Sequence, residues 1–279
     1  MHFVKMHGLG NDFVVVMART LPPDTPELAR KICRPHFGVG ADGLVFILPS
    51  DEADIAMRIF NADGSEAEMC GNAIRCVAKL AYETRLVPYQ RMRIATGAGI
   101  KPVELTVKDG KVTSCTVDMG EPVLERGAIP MQGPPGKVIN EPLVFEDGLV
   151  LRVTALSFGN PHCVLFVPAV EEAPVEELGP RLEHHPAFPH RTNVEFVEVV
   201  SPSEIRVRVW ERGVGETLAC GSGACAAAVA SFLNSYTTRE VIVHLPGGEL
   251  RIHWKEEDSH VYLQGPATTV FKGEWLGEE

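Results

Sequence analysis

The sequence predicts an α/β protein of two pseudo-symmetric halves, each a mostly antiparallel or mixed sheet wrapped around one central helix, with the site in the cleft between them. Three observations predict this. Residues 57–72, MRIFNADGSEAEMCGN, align without a gap on residues 207–222, VRVWERGVGETLACGS, at a shift of 150. Arg58 falls on Arg208, Glu66 on Glu216, Cys70 on Cys220 and Gly71 on Gly221, while Ile59 and Phe60 fall on Val209 and Trp210. An apolar, helix-forming stretch follows each copy, AIRCVAKLAYE in the first and GACAAAVASFL in the second. Further matches hold the register: Phe46 on Phe196, Gly97 on Gly247, and Gly10-Asn11 on Gly159-Asn160 at a shift one residue shorter.

The halves are placed at 1–119 and 120–265, with the second beginning near Gly120-Glu121-Pro122. In the first, Phe13–Val16 reads as a buried strand and Glu27–Cys33 as a short helix. Leu44–Leu48, Ala56–Phe60, Met92–Ala95, Val103–Val107 and Val112–Asp118 follow as short strands, separated by turns such as Asp109-Gly110. The helix after Cys70 is the clearest of this half. The second half repeats the plan with strands at Val164–Val167, Val194–Val199, Ile205–Trp210, Val241–Leu245 and Leu250–Trp254 around a helix near Gly221–Leu233. A run such as ACAAAVAS has almost no polar face, which suits a central, buried helix. Met131–Lys137 reads as a surface loop. Strands at Val261–Leu263 and Thr269–Phe271 have no counterpart in the first half, and the segment 266–279 is expected to return to it.

With 279 residues, 45% of them apolar, the chain is long enough for two cores. A net charge of −11 argues against a nucleic-acid partner, because phosphate recognition needs concentrated Lys and Arg. No run of 18 apolar residues and no apolar leader is present, so neither a membrane span nor a secretory signal is expected. The seven cysteines are an odd number, scattered and without a CxxC pair. That pattern points to reduced thiols in a cytoplasmic protein rather than to disulfides or zinc. His184-His185 lies in a Pro-rich stretch and reads as a solvated loop, so no metal is expected.

The repeated Cys-Gly at a helix start carries the chemistry. A free thiol ionises at about 8.5; unpaired N–H groups and the macrodipole at a helix N-terminus favour the thiolate and bind anions. Two such ends facing each other could clamp one carboxylate with a thiol on either side of its α-carbon, one sulfur removing a proton while the other delivers one. Cys76, Cys225, Cys33, Cys115 and Cys163 read as core residues. Gly38–Gly43 matches GxGxxG, but a helix precedes it and a strand follows, the reverse of a dinucleotide site. Nicotinamide and flavin are therefore rejected, and nothing points to pyridoxal phosphate, so no cofactor is expected.

Asn11, Asn61, Asn160 and Asn193 stand at strand or loop ends, where asparagine serves turns as readily as ligands. Arg212 could grip a carboxylate and Glu211 an ammonium, or the two could be a solvated pair. His162 reads either as tuning a thiol or as a satisfied core histidine. Glu66 and Glu216 read as helix caps or as partners of Arg58 and Arg208.

The motifs MHGLGNDFVVV, FNADGSEAEMCGN, GNPHC, RTNVEF, ERGVGETLACGSGACAA and PGGEL together resemble the diaminopimelate epimerase family. That resemblance implies a cofactor-independent epimerase with Cys70 and Cys220 as its two bases. It implies that backbone N–H groups at Gly71, Asn72, Gly221 and Ser222 hold the reacting carboxylate. Asn61, Asn160, Asn193 and Arg212 would bind the distal end of diaminopimelate, with Glu211 at its ammonium, Asn11 near the reacting amine and His162 in support. It implies a cytoplasmic homodimer whose partner is a small-molecule substrate. Some members carry a polar side chain where Gly43 stands here, so one contact to the amine is lost or passes to water. Three rivals remain: another isomerase on the same fold, such as a proline racemase or phenazine-pathway isomerase; a thiol-disulfide sensor; and a non-catalytic amino-acid-binding protein.

Overall fold

The computed structural model describes residues 1–277; Glu278 and Glu279, the last two positions of the expected terminal segment, lie outside the described residues. In chain order the elements are β1 (His2–Gly8), β2 (Asn11–Met17), α1 (Thr25–Cys33), β3 (Gly43–Leu48), β4 (Ile55–Asn61), β5 (Glu66–Ala67), α2 (Gly71–Glu83), β6 (Arg91–Thr96), β7 (Gly99–Lys108) and β8 (Lys111–Asp118). There follow β9 (Val138–Val144), β10 (Val150–Ser157), β11 (Pro161–Phe166), α3 (Val175–Glu183), β12 (Asn193–Ser201), β13 (Glu204–Glu211), β14 (Gly215–Thr217), α4 (Gly221–Leu233), β15 (Glu240–Leu245), β16 (Gly248–Trp254), β17 (Val261–Gly265) and β18 (Thr268–Glu274). Two compact units result, one of Met1–Asp118 with the segment from Gln264, the other of Met119–Leu263.

Both units run the same pairing sequence. In the first, β1–β2 is antiparallel, β2–β3 parallel, β3–β4 antiparallel, β4–β6 parallel and β6–β7 antiparallel. In the second, β10–β11, β11–β12, β12–β13, β13–β15 and β15–β16 repeat those five relations in the same order. Even the registers coincide: Leu44 lies opposite Phe60 and Val45 opposite Ile59, as Val194 lies opposite Trp210 and Glu195 opposite Val209. Helices α2 and α4 end alike, with Arg85 and Ser235 left-handed at φ 61° and 62°. Their N–H groups return to Tyr82 O and Phe232 O. At the other end of the first unit's sheet, β18 pairs antiparallel with β1, Phe3 opposite Gly273.

Helix α2 packs against β1, β2, β7 and β8, and α4 against β10, β11, β12 and β16. Helix α4 is buried from Gly223 to Ser231, as its composition predicts. Helix α2 is buried too, but it is not apolar throughout: Arg75 is fully covered and Lys79 nearly so. Outer helices α1 and α3 cover the other faces, α1 over Phe46 and Phe60, α3 over Phe196 and Trp210. Sequence reading missed α3 because Gly179 and Pro180 interrupt it. Pro180 lies inside this nine-residue helix, where it lacks the N–H an interior helical residue donates, and Gly179 is needed because a Cβ there would come within 2.6 Å of the Trp210 ring. Five further strands were missed, two of them, β5 and β14, only two and three residues long. Strand β1 was overlooked because Lys5 and His7 interrupt its apolar run, and β9 and β10 because Pro142 and Arg152 interrupt theirs. The Met131–Lys137 loop is exposed at its tip, yet Met131 itself is buried in the core of the second unit.

Candidate active site

Cys70 is the extended residue before α2 (φ −142°, ψ 121°), and Cys220 occupies the same place before α4 (φ −120°, ψ 118°). Each therefore caps a helix whose first N–H groups have no intrahelical partner. In the first unit the Cys70 sulfur lies 3.7 Å from Asn11 Oδ1, and Asn72 Nδ2 donates to the same oxygen at 3.2 Å. Asn11 in turn donates its Nδ2 to Asp42 at 2.8 Å. Asp42 is braced across the loop by Asp12, whose N–H it accepts at 2.9 Å and whose carboxylate accepts its own N–H at 3.0 Å. Lys5 closes the network, 2.5 Å from Asp12 and bonded to Gly40 O. Buried Arg75 fixes the helix start, donating to Gly71 O and Asn72 Oδ1 at 2.9 Å each and to Pro266 O at 3.0 Å.

Asn61 ends β4 in pairing register with Gly43, and its side chain donates to Ser65. The structure gives it no hydrogen bond to the Cys70 cluster among the described residues. Gly43 has little room: a Cβ would sit 3.0 Å from Phe60 O, so a larger residue here needs the neighbouring strand to shift.

In the second unit the Cys220 sulfur accepts the Gly223 N–H at 3.4 Å and lies 3.6 Å from Ser222 Oγ. His162 Nδ1 meets Glu195 Oε1 at 2.6 Å, both side chains wholly buried, and His162 Nε2 meets Asn160 Oδ1 at 3.1 Å. Asn193 Oδ1 accepts the Arg212 N–H at 2.9 Å while its Nδ2 donates to Pro161 O at 3.1 Å. Glu211 accepts from Thr217 Oγ1 at 2.6 Å, and Arg212 donates to His190 O at 3.1 Å. Buried Glu183 ties down the Glu211–Gly215 turn through Trp210 Nε1, Gly213 N–H and Arg191. The paired carboxylates resolve as ion-pair partners rather than caps: Arg58 binds Glu66 and Arg208 binds Glu216, each bidentately.

The expectation that a helix start lowers the thiol's proton affinity needs correction at Cys220. Burial pushes that thiol well above its ordinary range and the Glu211 carboxylate adds to the effect; the Ser222 and Gly223 bonds oppose it weakly. Cys76 and Cys115 are pushed up to about 12 by burial, as is Cys33, which fits their reading as core residues. His162 is engaged on both ring nitrogens, and the structure adds three groups sequence reading missed: Glu195, Asp42 and Glu183. The repeat itself could have flagged Glu195, since it puts a carboxylate where the first half has Val45. Among the described residues no cluster of three or more His, Cys, Asp or Glu forms a metal site, and no helix is long and apolar enough to cross a membrane.

Two units of matched topology, each starting a buried helix at a cysteine, define a fold shared by racemases, epimerases and isomerases. It is similar to a probable proline racemase from Agrobacterium radiobacter (TM-score 0.74, 15% identity, 99% of this chain and 93% of that one). It is similar also to a phenazine biosynthesis protein from Bacillus anthracis (TM-score 0.73, 19% identity, 99% of each chain). The family profile of diaminopimelate epimerase matches residues 3–125 and 154–270. Diaminopimelate epimerases from Pelotomaculum thermopropionicum and Heliobacterium modesticaldum are 59% and 57% identical over 99% and 98% of this chain and 99% of their own length. The chain belongs to the diaminopimelate epimerase family and is an isomerase, an amino-acid epimerase.

Proposed function

We propose that the chain interconverts LL- and meso-diaminopimelate without a cofactor, using Cys70 and Cys220 as a pair of acid/base groups on opposite faces of one α-carbon. The observation that carries this reading is the duplicated cysteine cap, one at the start of each central helix, in a member of this family. In the resting enzyme Cys220, kept neutral by burial, delivers a proton, and Cys70 removes the α-hydrogen in that direction; the reverse turnover exchanges the roles. The N–H groups of Gly71, Asn72, Gly221 and Ser222 hold the reacting carboxylate and stabilise the charge that develops on it. Asn11 accepts from the reacting ammonium. Asn61, Asn160, Asn193 and Arg212 bind the distal amino-acid end, with Glu211 at its ammonium and His162 in support. The same reading makes the protein a cytoplasmic homodimer serving lysine and cell-wall precursor synthesis.

Incubation with LL-diaminopimelate and, separately, with L-proline in D₂O tests it. Solvent deuterium enters the α-position of diaminopimelate as LL converts to meso. Exchange and inversion of proline alone would reject the assignment.

A further inference from the structure

The duplication supplies an internal control for the buried His162–Glu195 pair. Strand β11 pairs with β12 so that His162 lies beside Asn193, and β2 pairs with β3 so that Phe13 lies beside Gly43. With Glu195 and Val45 also in equivalent register, the first unit fills with phenylalanine and valine the two positions that the second fills with histidine and glutamate. Phe13 is 2% exposed and Val45 wholly buried, so the fold is satisfied by an apolar pair there. A buried ion pair is seldom more stabilising than well-packed apolar residues. The polar pair therefore points to a task other than folding.

The geometry shows the task. Asn160 holds the same turn position as Asn11, and its one side-chain hydrogen bond among the described residues joins its Oδ1, as acceptor, to His162 Nε2. An amide oxygen only accepts, so Nε2 carries a proton. Glu195 Oε1 stands 2.6 Å from Nδ1, so a second proton lies on that line, on either atom. The pair then holds two protons and no net charge, the state that full burial demands. A bare Nε2 would need a neutral Nδ1–H imidazole facing either an ionised carboxylate, an uncompensated buried anion, or a carboxyl group protonated on Oε2. Glu195 Oε2, which has no hydrogen-bond partner among the described residues, argues against both. Of the titratable groups around the pair, the thiols of Cys163 on β11 and Cys220 at the start of α4 are neutral, and the Glu211 carboxylate on β13 reinforces proton retention on Glu195.

We infer that Glu195 is a positioning residue acting through His162: it keeps a proton on Nε2, which locks Asn160 with its carbonyl turned to the ring and its amide NH₂ left as the donor for a ligand carboxylate. Asn11 is locked the opposite way, its NH₂ taken by Asp42 and its carbonyl oxygen toward Cys70. Equivalent asparagines thus offer opposite poles, one suited to an ammonium and the other to a carboxylate. This rests on the proposed role of Asn160 in binding the distal end of the substrate.

The test has two arms. Nitrogen-15 spectra of the histidines in the free full-length enzyme, with His162 assigned by its loss in His162→Phe, are expected to show Nε2 protonated from pH 6 to 8. A bare Nε2 overturns the inference whether or not diaminopimelate is the substrate. In the second arm, the double variant His162→Phe/Glu195→Val copies the first unit's solution. Its urea midpoint is expected to match or exceed that of the wild type, while KM for diaminopimelate rises about tenfold or more, the scale of one hydrogen bond to a charged group, with a smaller effect on kcat. An unchanged KM overturns it. Glu195→Gln, whose amide can donate to Nδ1 and so leave the proton on Nε2, recovers part of the affinity that Glu195→Leu loses. Absence of any turnover of diaminopimelate by the wild type would instead reject the proposed function, and leave the spectra to decide the proton count.

Discussion

Helices α2 and α4 begin from one sequence pattern and reach their cysteines by opposite means. In the first unit polarity resides in the helix: Asn72, Arg75 and Lys79 are buried on α2, while the facing positions of the sheet hold Phe13 and Val45. In the second unit the helix is mostly glycine, alanine and other apolar residues, and polarity moves to the sheet as His162 and Glu195. Asn11 is held by Asp42 and by Asn72 of α2, whereas Asn160 is held by His162 of the sheet. The difference teaches that duplication conserved the backbone task, a sulfur at a helix start, and left the orienting groups free to change places.

The largest effect that sharpens this comparison is on the sulfurs. Cys70→Ser and Cys220→Ser are each expected to lower kcat by about 10²-fold or more, the scale of a positioned acid or base. Steady-state rates in both directions measure it. If either substitution left turnover unchanged, that sulfur would have no part in proton transfer and the equivalence of the two helix starts would be only structural.

Stability is expected to divide along the same line. Arg75→Met removes the guanidinium bonds to Gly71 O, Asn72 Oδ1 and Pro266 O, and a hydrogen bond from a charged group contributes about 1.5–3 kcal/mol, so urea unfolding is expected to show a loss of about 3 kcal/mol or more. The equivalent residue in α4 is Cys225, and Cys225→Ala removes only a sulfur from an apolar helix, an expected loss of about 1 kcal/mol. Equal losses would mean that the polar contacts of α2 carry no more of the fold than apolar packing does.

Much of this architecture is legible in the chain because the repeat spans the most constrained segments. A strand, a turn, a cysteine cap and a buried helix recur at one spacing, and α4 is so poor in polar residues that only a central position suits it. What escaped the reading lacked periodicity. Helix α3 contains a glycine and a proline chosen for Trp210 rather than for helicity, and β1 carries Lys5 inward to Asp12 and Gly40. In the site, the cysteines and asparagines stood out as motifs, whereas Glu195 and Asp42 act through distant partners 33 and 31 residues away. A contact of that separation has no local signature. The thiol at Cys220 was misjudged for a related reason: the helix start is visible in sequence, but the burial that outweighs it is a tertiary property.

A smaller effect is expected at Gly223. A Cβ at this position would lie 2.9 Å from Glu195 Oε1 and 3.4 Å from the Cys220 sulfur, whereas the equivalent residue of α2 is already Ala73. Gly223→Ala is expected to cost about 1–3 kcal/mol, as overpacking a filled site does, despite the gain in helix propensity. Ala73→Gly is expected to cost about 1 kcal/mol through backbone entropy alone. Denaturation of the two variants side by side checks this, and a stabilised Gly223→Ala would show that Glu195 does not press on the start of α4.

The smallest expected effect concerns alkaline pH and again has its control in the duplicate. Cys76 is fully buried and pushed by burial up to about 12, well above the ordinary thiol range, while the equivalent residue of α4 is Ala226. A thiol whose proton is held more tightly when folded contributes stability that is complete below about pH 9, where the unfolded chain is also protonated. Above that the unfolded chain releases the proton and the folded one does not, so stability falls by about 1.4 kcal/mol per pH unit until the folded thiol ionises near 12. Cys76→Ala is therefore expected to lose stability less steeply than the wild type between pH 9 and 10.5, while below pH 8 the two curves run parallel. Urea midpoints taken across that range measure the difference between the two curves, which cancels the titration of tyrosines and lysines common to both. Curves that stay parallel throughout would show that Cys76 titrates as an exposed thiol does, and that α2 is less well sealed than α4.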